Sequence, residues 1–350
     1  MADGDRKTLR LALFGKPGAG KSTTAGILEK ALREAGQRVA VVRIAAPLYD
    51  VQEFFHARAG APLRKGQQDG ALLNFLGSHF RRTASGFLLE DFAERCALTA
   101  FGGVDVILCD DARPADLGGL AEQGFHLVRI SAPDAVRRQR KAGRGDATAG
   151  QDDHPTELGV DGAVADTELD NSGTLGELES SVTAFVAALK DPGFVGADRA
   201  GPDERALAVR ALVRHAERTI TPRYVEGRHQ IGAVVLSGDG RLFTGVHLEA
   251  MVGRASICAE AVALGQACLA GATDLRAVVA VRHPKPSEDH DEVRLVPPCG
   301  LCRELLLDYG AEIEVVVDSG GTPVLRPLAG LLPHKYRGTK WAVPAGSSAG

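Results

Sequence analysis

The sequence predicts an α/β protein in two parts: a parallel α/β sandwich followed by a smaller α/β/α domain with a mixed sheet. Three observations carry that reading. A glycine-rich loop, Gly15-Lys16-Pro17-Gly18-Ala19-Gly20-Lys21-Ser22-Thr23, stands between a strand-like run and a helical one. Further short apolar runs in the first half alternate with helical stretches, the pattern of a parallel sheet. In the second half, Cys258-Ala259-Glu260 and Pro298-Cys299-Gly300-Leu301-Cys302 each open a helix within a β–β–α–β–α–β order. At 350 residues the chain is also long for a single core.

Taken in order, Thr8 to Phe14 reads as the first strand, and the helix after the loop runs to about Ala35. The loop fits G-x-x-x-x-G-K-S in the strand–loop–helix setting that motif requires. Gly15, Gly18 and Gly20 let backbone N–H groups approach a β-phosphate. Lys21 reaches the β/γ oxygens, and Ser22, with Thr23 beside it, can ligate Mg²⁺. A nucleoside triphosphate is the expected ligand; the alternative is a glycine-rich turn that binds nothing.

Val39 to Ile44, Val104 to Cys109 and Leu127 to Ile130 read as further strands. Asp110-Asp111-Ala112-Arg113 follows the second of these, at the strand edge where open α/β sheets place ligands. One of its carboxylates can hold Mg²⁺ through water and Arg113 can meet a phosphate; a solvated loop with a local Asp–Arg pair would look the same. Arg137, Arg138, Arg140 and Arg144 form a basic cluster after the last strand. Such arginines occur in a lid over a transferred phosphate, and equally on a solvated helix face. Asp152-Asp153-His154-Pro155 lies in a polar, glycine-rich stretch from Ala147 to Asp170 that reads as a surface loop. A helix from about Thr174 to Lys190 closes this half.

From Leu9 to about Leu189 these features together resemble the P-loop nucleoside monophosphate kinases, most of all the deoxynucleotide kinase type. The glycine-rich loop is the specific match. Asp110-Asp111-Ala112-Arg113, the arginine cluster, Thr156-Glu157 and Asp170-Asn171-Ser172-Gly173-Thr174-Leu175 add weight only as a series. The resemblance implies ATP with Mg²⁺, and an acceptor nucleotide covered by Pro47 to Arg82, with Lys65, Arg81 and Arg82. Regulatory nucleotide binding without transfer stays open.

Asp191 to Pro202 is rich in turn formers and reads as a linker, after which Pro202-Asp203-Glu204 opens an amphipathic helix. The expected organisation is a nucleotide-binding domain over 1–192, a linker over 193–203, a metal domain over 204–342 and a disordered tail over 343–350. Strands over Gln230 to Leu236 and Arg241 to Val246 flank Ser237-Gly238-Asp239-Gly240, a hairpin-type turn. Arg276 to Arg282 and Glu312 to Val317 are the later strands.

Two cysteines three apart at a helix start face one side, so Cys299 and Cys302 can grip one ion, and Cys258 makes a third ligand. Three protein ligands and an open fourth position are the arrangement of a catalytic zinc. A closed structural site would want a fourth Cys or His, and Cys268 has no paired motif around it. Both segments open helices, where the dipole favours thiolate. Glu260, two residues from a ligand, is placed to move a proton from zinc-bound water to a leaving amine, the parts a zinc deaminase needs.

Over most of Arg205 to Trp341 the chain resembles the cytidine deaminase family, especially its small cytidine and blasticidin-S deaminase branch. The matching residues are Asp239 to Val246, Cys258-Ala259-Glu260, Pro298 to Glu304 and Leu331-Leu332-Pro333. The resemblance implies a cytidine-deaminase-like α/β/α fold, a zinc enzyme and a homo-oligomer, dimer or tetramer, with sites completed across interfaces. Substrate-binding positions carried over are His229, His247, Glu249 and Ala259. The chain departs from the pattern: His247-Leu248-Glu249-Ala250 stands for Asn-Val-Glu-Asn, His229 for a Phe near the base, and Ala261 for an Arg, which Arg303 or Arg254 could replace. His229 and His247 could equally be structural. Zinc chemistry is therefore expected, on cytidine or on a cytosine-containing antibiotic or modified nucleoside.

Composition bounds the partners. Hydrophobic content of 44% and charged content of 25% are those of an ordinary globular protein. A net charge of −4 without a basic tract gives no footprint for nucleic acid. No apolar run approaches membrane-spanning length, and the N-terminus is not a signal peptide. Six cysteines, three in a metal pattern, fit a reducing, cytoplasmic compartment. Small-molecule nucleosides or nucleotides are the expected partners.

Overall fold

The computed structural model describes residues 8–64, 67–142, 159–191, 194 and 203–336. Contacts between residues divide the chain into two compact units, Met1–Ala208 and Val209–Gly350. The expected linker lies almost wholly outside the described residues, as do Lys65, Arg144, Asp152-Asp153-His154-Pro155, Thr156-Glu157, Trp341 and the tail.

The first unit runs β1 (Leu9–Phe14), α1 (Lys21–Glu34), β2 (Val39–Val41), α2 (Ala46–Arg58), α3 (Gly70–Thr83), α4 (Phe87–Phe101), β3 (Val106–Cys109), α5 (Leu117–Glu122), β4 (His126–Ser131), α6 (Asp134–Ala142), β5 (Thr167–Asp170) and α7 (Leu175–Ala188). Its five strands are ordered β2-β3-β1-β4-β5, and every pairing is parallel. The central strand is apolar on both sides because both faces are covered. Ala12, Phe14, Ile107 and Cys109 pack with Phe92, Leu120 and Phe125 on one face. Leu11, Leu13, Leu108 and Val128 pack with Leu28, Leu178 and Val182 on the other. That period-two division makes the sandwich.

Two local expectations are corrected. The strand expected over Val39 to Ile44 stops at Val41, because the chain turns. Asp111 accepts the backbone N–H groups of Ile44 and Ala45, each at 2.9 Å, and so bends the chain into α2. The stretch expected to be loop up to Asp170 contains β5, an edge strand in which only Leu169 is buried; its polar residues hid it.

In the second unit, α8 (Glu204–Ile220), which begins before the division, is followed by β6 (Ile231–Ser237), β7 (Leu242–Val246), α9 (Ala259–Leu269), β8 (Leu275–Arg282), β9 (Arg294–Leu295), α10 (Gly300–Tyr309), β10 (Glu314–Asp318) and β11 (Pro323–Pro327). The sheet order is β11-β10-β8-β6-β7, with β9 pairing β8. Only β10 and β8 run parallel; the other pairings are antiparallel. The predicted β–β–α–β–α–β order stands, with β9 and β11 added.

The hairpin turn forms as expected, Ser237 N–H donating to Arg241 O at 3.0 Å. Both cysteine helices lie on one face: Ala263, Leu264 and Ala267 of α9 share a core with Cys302 and Leu306 of α10 over Val235, Val278 and Val315. On the other face α8 packs so near β6 that a Cβ on Gly232 would lie 2.9 Å from Ala216 O. This is the α/β/α layering.

Candidate active site

Cys258 is the residue that starts α9, and Cys299 the one that starts α10. Both hold extended backbone, so each side chain projects back over its helix N-terminus, where backbone N–H groups favour thiolate. The sulfurs of Cys258, Cys299 and Cys302 all lie within 4.8 Å of one another. Cys258 Sγ and Cys299 Sγ are 3.7 Å apart. Zn–S bonds of about 2.3 Å in tetrahedral geometry put ligand sulfurs about 3.8 Å apart, so the spacing fits one zinc ion. Cys302 N–H points at Cys299 Sγ at 3.5 Å. Burial pushes the Cys258 and Cys302 thiols up. For Cys299 burial acts the same way, but hydrogen bonds with Cys302, Cys258 and the Leu301 N–H together outweigh it and leave the thiol below its ordinary value.

Close packing places the helix that carries Glu260. A Cβ on Gly245 of β7 would lie 2.2 Å from Ala259 O, so only glycine lets the first turn of α9 rest there. Glu260 is 4% exposed. Burial raises its carboxyl above the ordinary range, opposed by its own N–H, by Cys302 and by the charge of His247. A buried carboxyl beside three thiols is poised to carry a proton rather than to form an ion pair.

The segment after β7 is tied across to Cys258 by the Leu248–Ile257 bridge. His247 Nε2 lies 3.5 Å from Glu249 Oε2, and His229 Nδ1 meets His247 O at 2.8 Å. The His247 Nδ1 is buried without a hydrogen bond among the described residues. Glu249 accepts the Ser256 hydroxyl at 2.6 Å, which holds its carboxyl below the ordinary range. The structure thus gathers His229, His247 and Glu249 at one end of the sheet. Ala259 is different: its methyl is wholly buried with Ala233 and Ala280, so only its main chain is left to meet a substrate. Arg303 donates to Pro298 O at 2.8 Å and Leu331 O at 3.0 Å, bracing the turn before Cys299, whereas Arg254 is exposed. Ser256 was not legible as a site residue, because nothing in the spacing links it to Glu249 seven residues earlier.

In the first unit the glycine loop is formed. Gly20 has φ +98 and a Cβ there would lie 2.2 Å from Asn171 Nδ2, which donates to Ala19 O at 2.8 Å. Gly15 and Gly18 face the carbonyls of Ile130 and Arg137 just as closely. Lys21 Nζ donates to Gly15 O at 2.7 Å, and Ser22 and Thr23 are exposed at the start of α1. Arg137 donates to Pro17 O at 2.8 Å and Arg140 to Asn171 O at 3.0 Å, so both brace the loop, while Arg138 is exposed.

Other expected phosphate or Mg²⁺ groups are engaged elsewhere. Asp110 takes both ends of the Arg43 guanidinium, at 2.8 and 3.1 Å, and Asp111 holds the turn into α2. The Arg81 guanidinium goes to Asp116, a buried carboxylate that also accepts the main-chain N–H of Arg113.

A mixed-sheet α/β/α domain with three converging thiols and a buried glutamate defines the class: a zinc-binding hydrolytic deaminase domain. Residues 207–318 match the family model described as the cytidine and deoxycytidylate deaminase zinc-binding region. The chain is 40% identical to a blasticidin-S deaminase of Bacillus cereus over 125 residues, 36% of this chain and 89% of that protein. A cytidine deaminase of Mycobacterium tuberculosis is 32% identical over 109 residues, 31% of this chain and 74% of that one. A crystal structure of the Mycobacterium tuberculosis cytidine deaminase overlays with a TM-score of 0.30 at 28% identity, covering 37% of this chain and 96% of that one. Through this region the chain belongs to the cytidine deaminase family. Residues 2–48, which include β1, the glycine loop and α1, match the model described as methylmalonyl Co-A mutase-associated GTPase MeaB. Among the described residues no helix is long and apolar enough to cross a membrane.

Proposed function

We propose that residues 204–342 form a zinc-dependent deaminase of cytosine compounds, with Cys258, Cys299 and Cys302 as metal ligands and Glu260 as proton carrier. The observation that carries this reading is the convergence of three sulfurs beside a buried carboxyl at two helix N-termini. Zinc held by Cys258, Cys299 and Cys302 would make a water acidic enough to react near neutral pH. Glu260 would carry two protons in turn, one from the attacking water to ring N3 and one from the new C4 hydroxyl to the amine, so that a C4–O bond forms, the C4–N bond breaks and ammonia leaves the uracil-type product. His229, His247, Glu249 and the main chain of Ala259 hold the rest of the substrate.

The likeness to a blasticidin-S deaminase supports a cytosine-containing antibiotic as substrate beside cytidine and deoxycytidine. His247 and Ala250 point the same way, since they replace two amides that a nucleoside pocket would use. Residues 1–192 act as a nucleotide-binding domain, taking ATP with Mg²⁺ on Gly15 to Thr23, and by resemblance a kinase. A second reading, a nucleotide sensor that gates the deaminase, is favoured by the engagement of Asp110, Asp111 and Arg81 in ion pairs and turns. Exposed Leu248, Met251, Val252, Ile257 and Leu301 near the candidate ligands support a homo-oligomer. Reduced thiols suit the cytoplasm.

Loss of the cytosine chromophore by zinc-loaded protein tests this, on cytidine, deoxycytidine, their mono- and triphosphates and blasticidin S, each with and without ATP. Turnover of none of them would overturn the deaminase reading. ATP-independent turnover of free compounds would overturn the sensor.

A further inference from the structure

We infer that Arg282 and Glu288 form a latch holding the excursion between β8 and β9, residues 283–293, against the sheet end that bears the candidate site, and that this latch governs how tightly substrate is held. The inference rests on the deaminase reading above.

The excursion begins and ends at that sheet end. Arg282 pairs with Arg294 and Val281 with Leu295, and Val296 N–H donates to Ala280 O at 3.0 Å. Three residues further on is Cys299. On the other side, His283 N–H donates to Gln230 O at 2.8 Å, and the neighbouring His229 meets His247 O at 2.8 Å. The root of the excursion is thus continuous with the residues proposed to contact substrate.

Arg282 grips Glu288 with both ends of its guanidinium, Nη1 donating to Oε2 at 3.0 Å and Nη2 to Oε1. The two side chains are 30% and 25% exposed, so the pair is partly withdrawn from water. With its amide turned to suit both ends, Gln230 also accepts from Arg282, at 3.1 and 3.3 Å. His290 Nε2 closes on Glu288 from the other side at 3.4 Å. The His283 ring stacks on Tyr224 with centroids 4.2 Å apart, fixing the first residue of the excursion.

The middle of the segment has few other anchors. It carries Glu288, Asp289, Asp291 and Glu292 against Lys285, and most of it is exposed. Without Arg282 these carboxylates repel one another, and the anchors left are at the two ends: buried Pro284 and the His283–Tyr224 stack at one, half-buried Val293 and the Arg294–Glu292 pair at 3.8 Å at the other. A bidentate, partly buried pair at the root is therefore the group on which the position of the excursion turns. Arg282 is a positioning residue: it touches neither the thiols nor Glu260.

The test compares R282M, E288Q and the charge-swapped R282E/E288R with wild type, reading KM, kcat and zinc content on cytidine, deoxycytidine and blasticidin S. In both single variants KM is expected to rise about fivefold with kcat within about twofold, and the swap to recover most of the loss. Zinc content is expected to be unchanged throughout. E288Q decides alone where R282M fails to fold. Unchanged KM in the single variants overturns the latch, as does a swap no better than either one. Parallel loss of zinc, kcat and KM would mean that the pair serves the fold instead. A wild type inactive on every compound overturns the deaminase reading itself, and the latch with it.

Discussion

Glu260 illustrates how little sequence distance separates a structural carboxylate from a working one. It lies two residues from Cys258, yet the helix turns it into a nearly closed space beside Cys302, where burial raises its proton affinity. Glu260→Gln keeps the shape and removes the proton traffic, so kcat is expected to fall by about 10³-fold with zinc retained. Metal analysis beside the chromophore assay checks this, and full activity in a zinc-loaded variant would remove Glu260 from the mechanism.

Tyr49 gives a second residue-scale prediction, on stability. Burial, followed by the nearby Asp111 charge, lifts its hydroxyl from 10.0 to about 12. A raised folded value means the contribution is present below pH 10 and is lost as pH rises through 12, because the unfolded chain ionises first. Tyr49→Phe should therefore remove an alkaline loss of about 3 kcal/mol from the first unit, read as thermal stability between those limits. Identical alkaline profiles in the two proteins would refute it.

At the scale of elements, the helix starts were legible because cysteine and glycine motifs mark them: Cys258 and Cys299 stand where α9 and α10 begin. The central strands were legible because burial on both faces leaves mostly apolar runs, unbroken in β3 and interrupted by a single arginine in β1 and β4. Some short or polar strands were not. In β5 only Leu169 is buried, and β9 is two residues long, too short for any periodicity to show. Side-chain partners were hidden as well, for a different reason: that Asp111 accepts the N–H groups of Ile44 and Ala45, some 67 residues earlier, leaves no trace in local spacing.

Gly245 was quoted in the sequence only as part of a motif, and its reason is steric. Gly245→Ala drives a methyl against Ala259 O and pushes the first turn of α9 away from β7. The expected cost is about 2 kcal/mol, together with faster zinc loss to a chelator, because Cys258 moves with that turn. Unaltered chelation kinetics would show that the helix start can shift without moving its ligand.

On the scale of the whole molecule, each unit has its own sheet and core, and each carries a separate candidate site. A chain built in this way has no single unfolding free energy. Ligands that bind only the native form of one unit raise that unit's transition, by about 4 kcal/mol at a thousandfold excess over Kd. Calorimetry is therefore expected to show two transitions, one raised by ATP with Mg²⁺ and one lowered by a zinc chelator. Lys21→Met should abolish the ATP response, because Lys21 is the cation proposed to reach the β/γ oxygens, and should leave the chelator response intact. If the nucleotide unit gates the deaminase, ATP must also move the chelator-sensitive transition, since an effector acts on a distant site only through a free energy shared by both. A chelator-sensitive transition that ignores ATP would separate the two activities. One that follows ATP in the wild type and not in Lys21→Met would make the glycine loop the origin of the coupling.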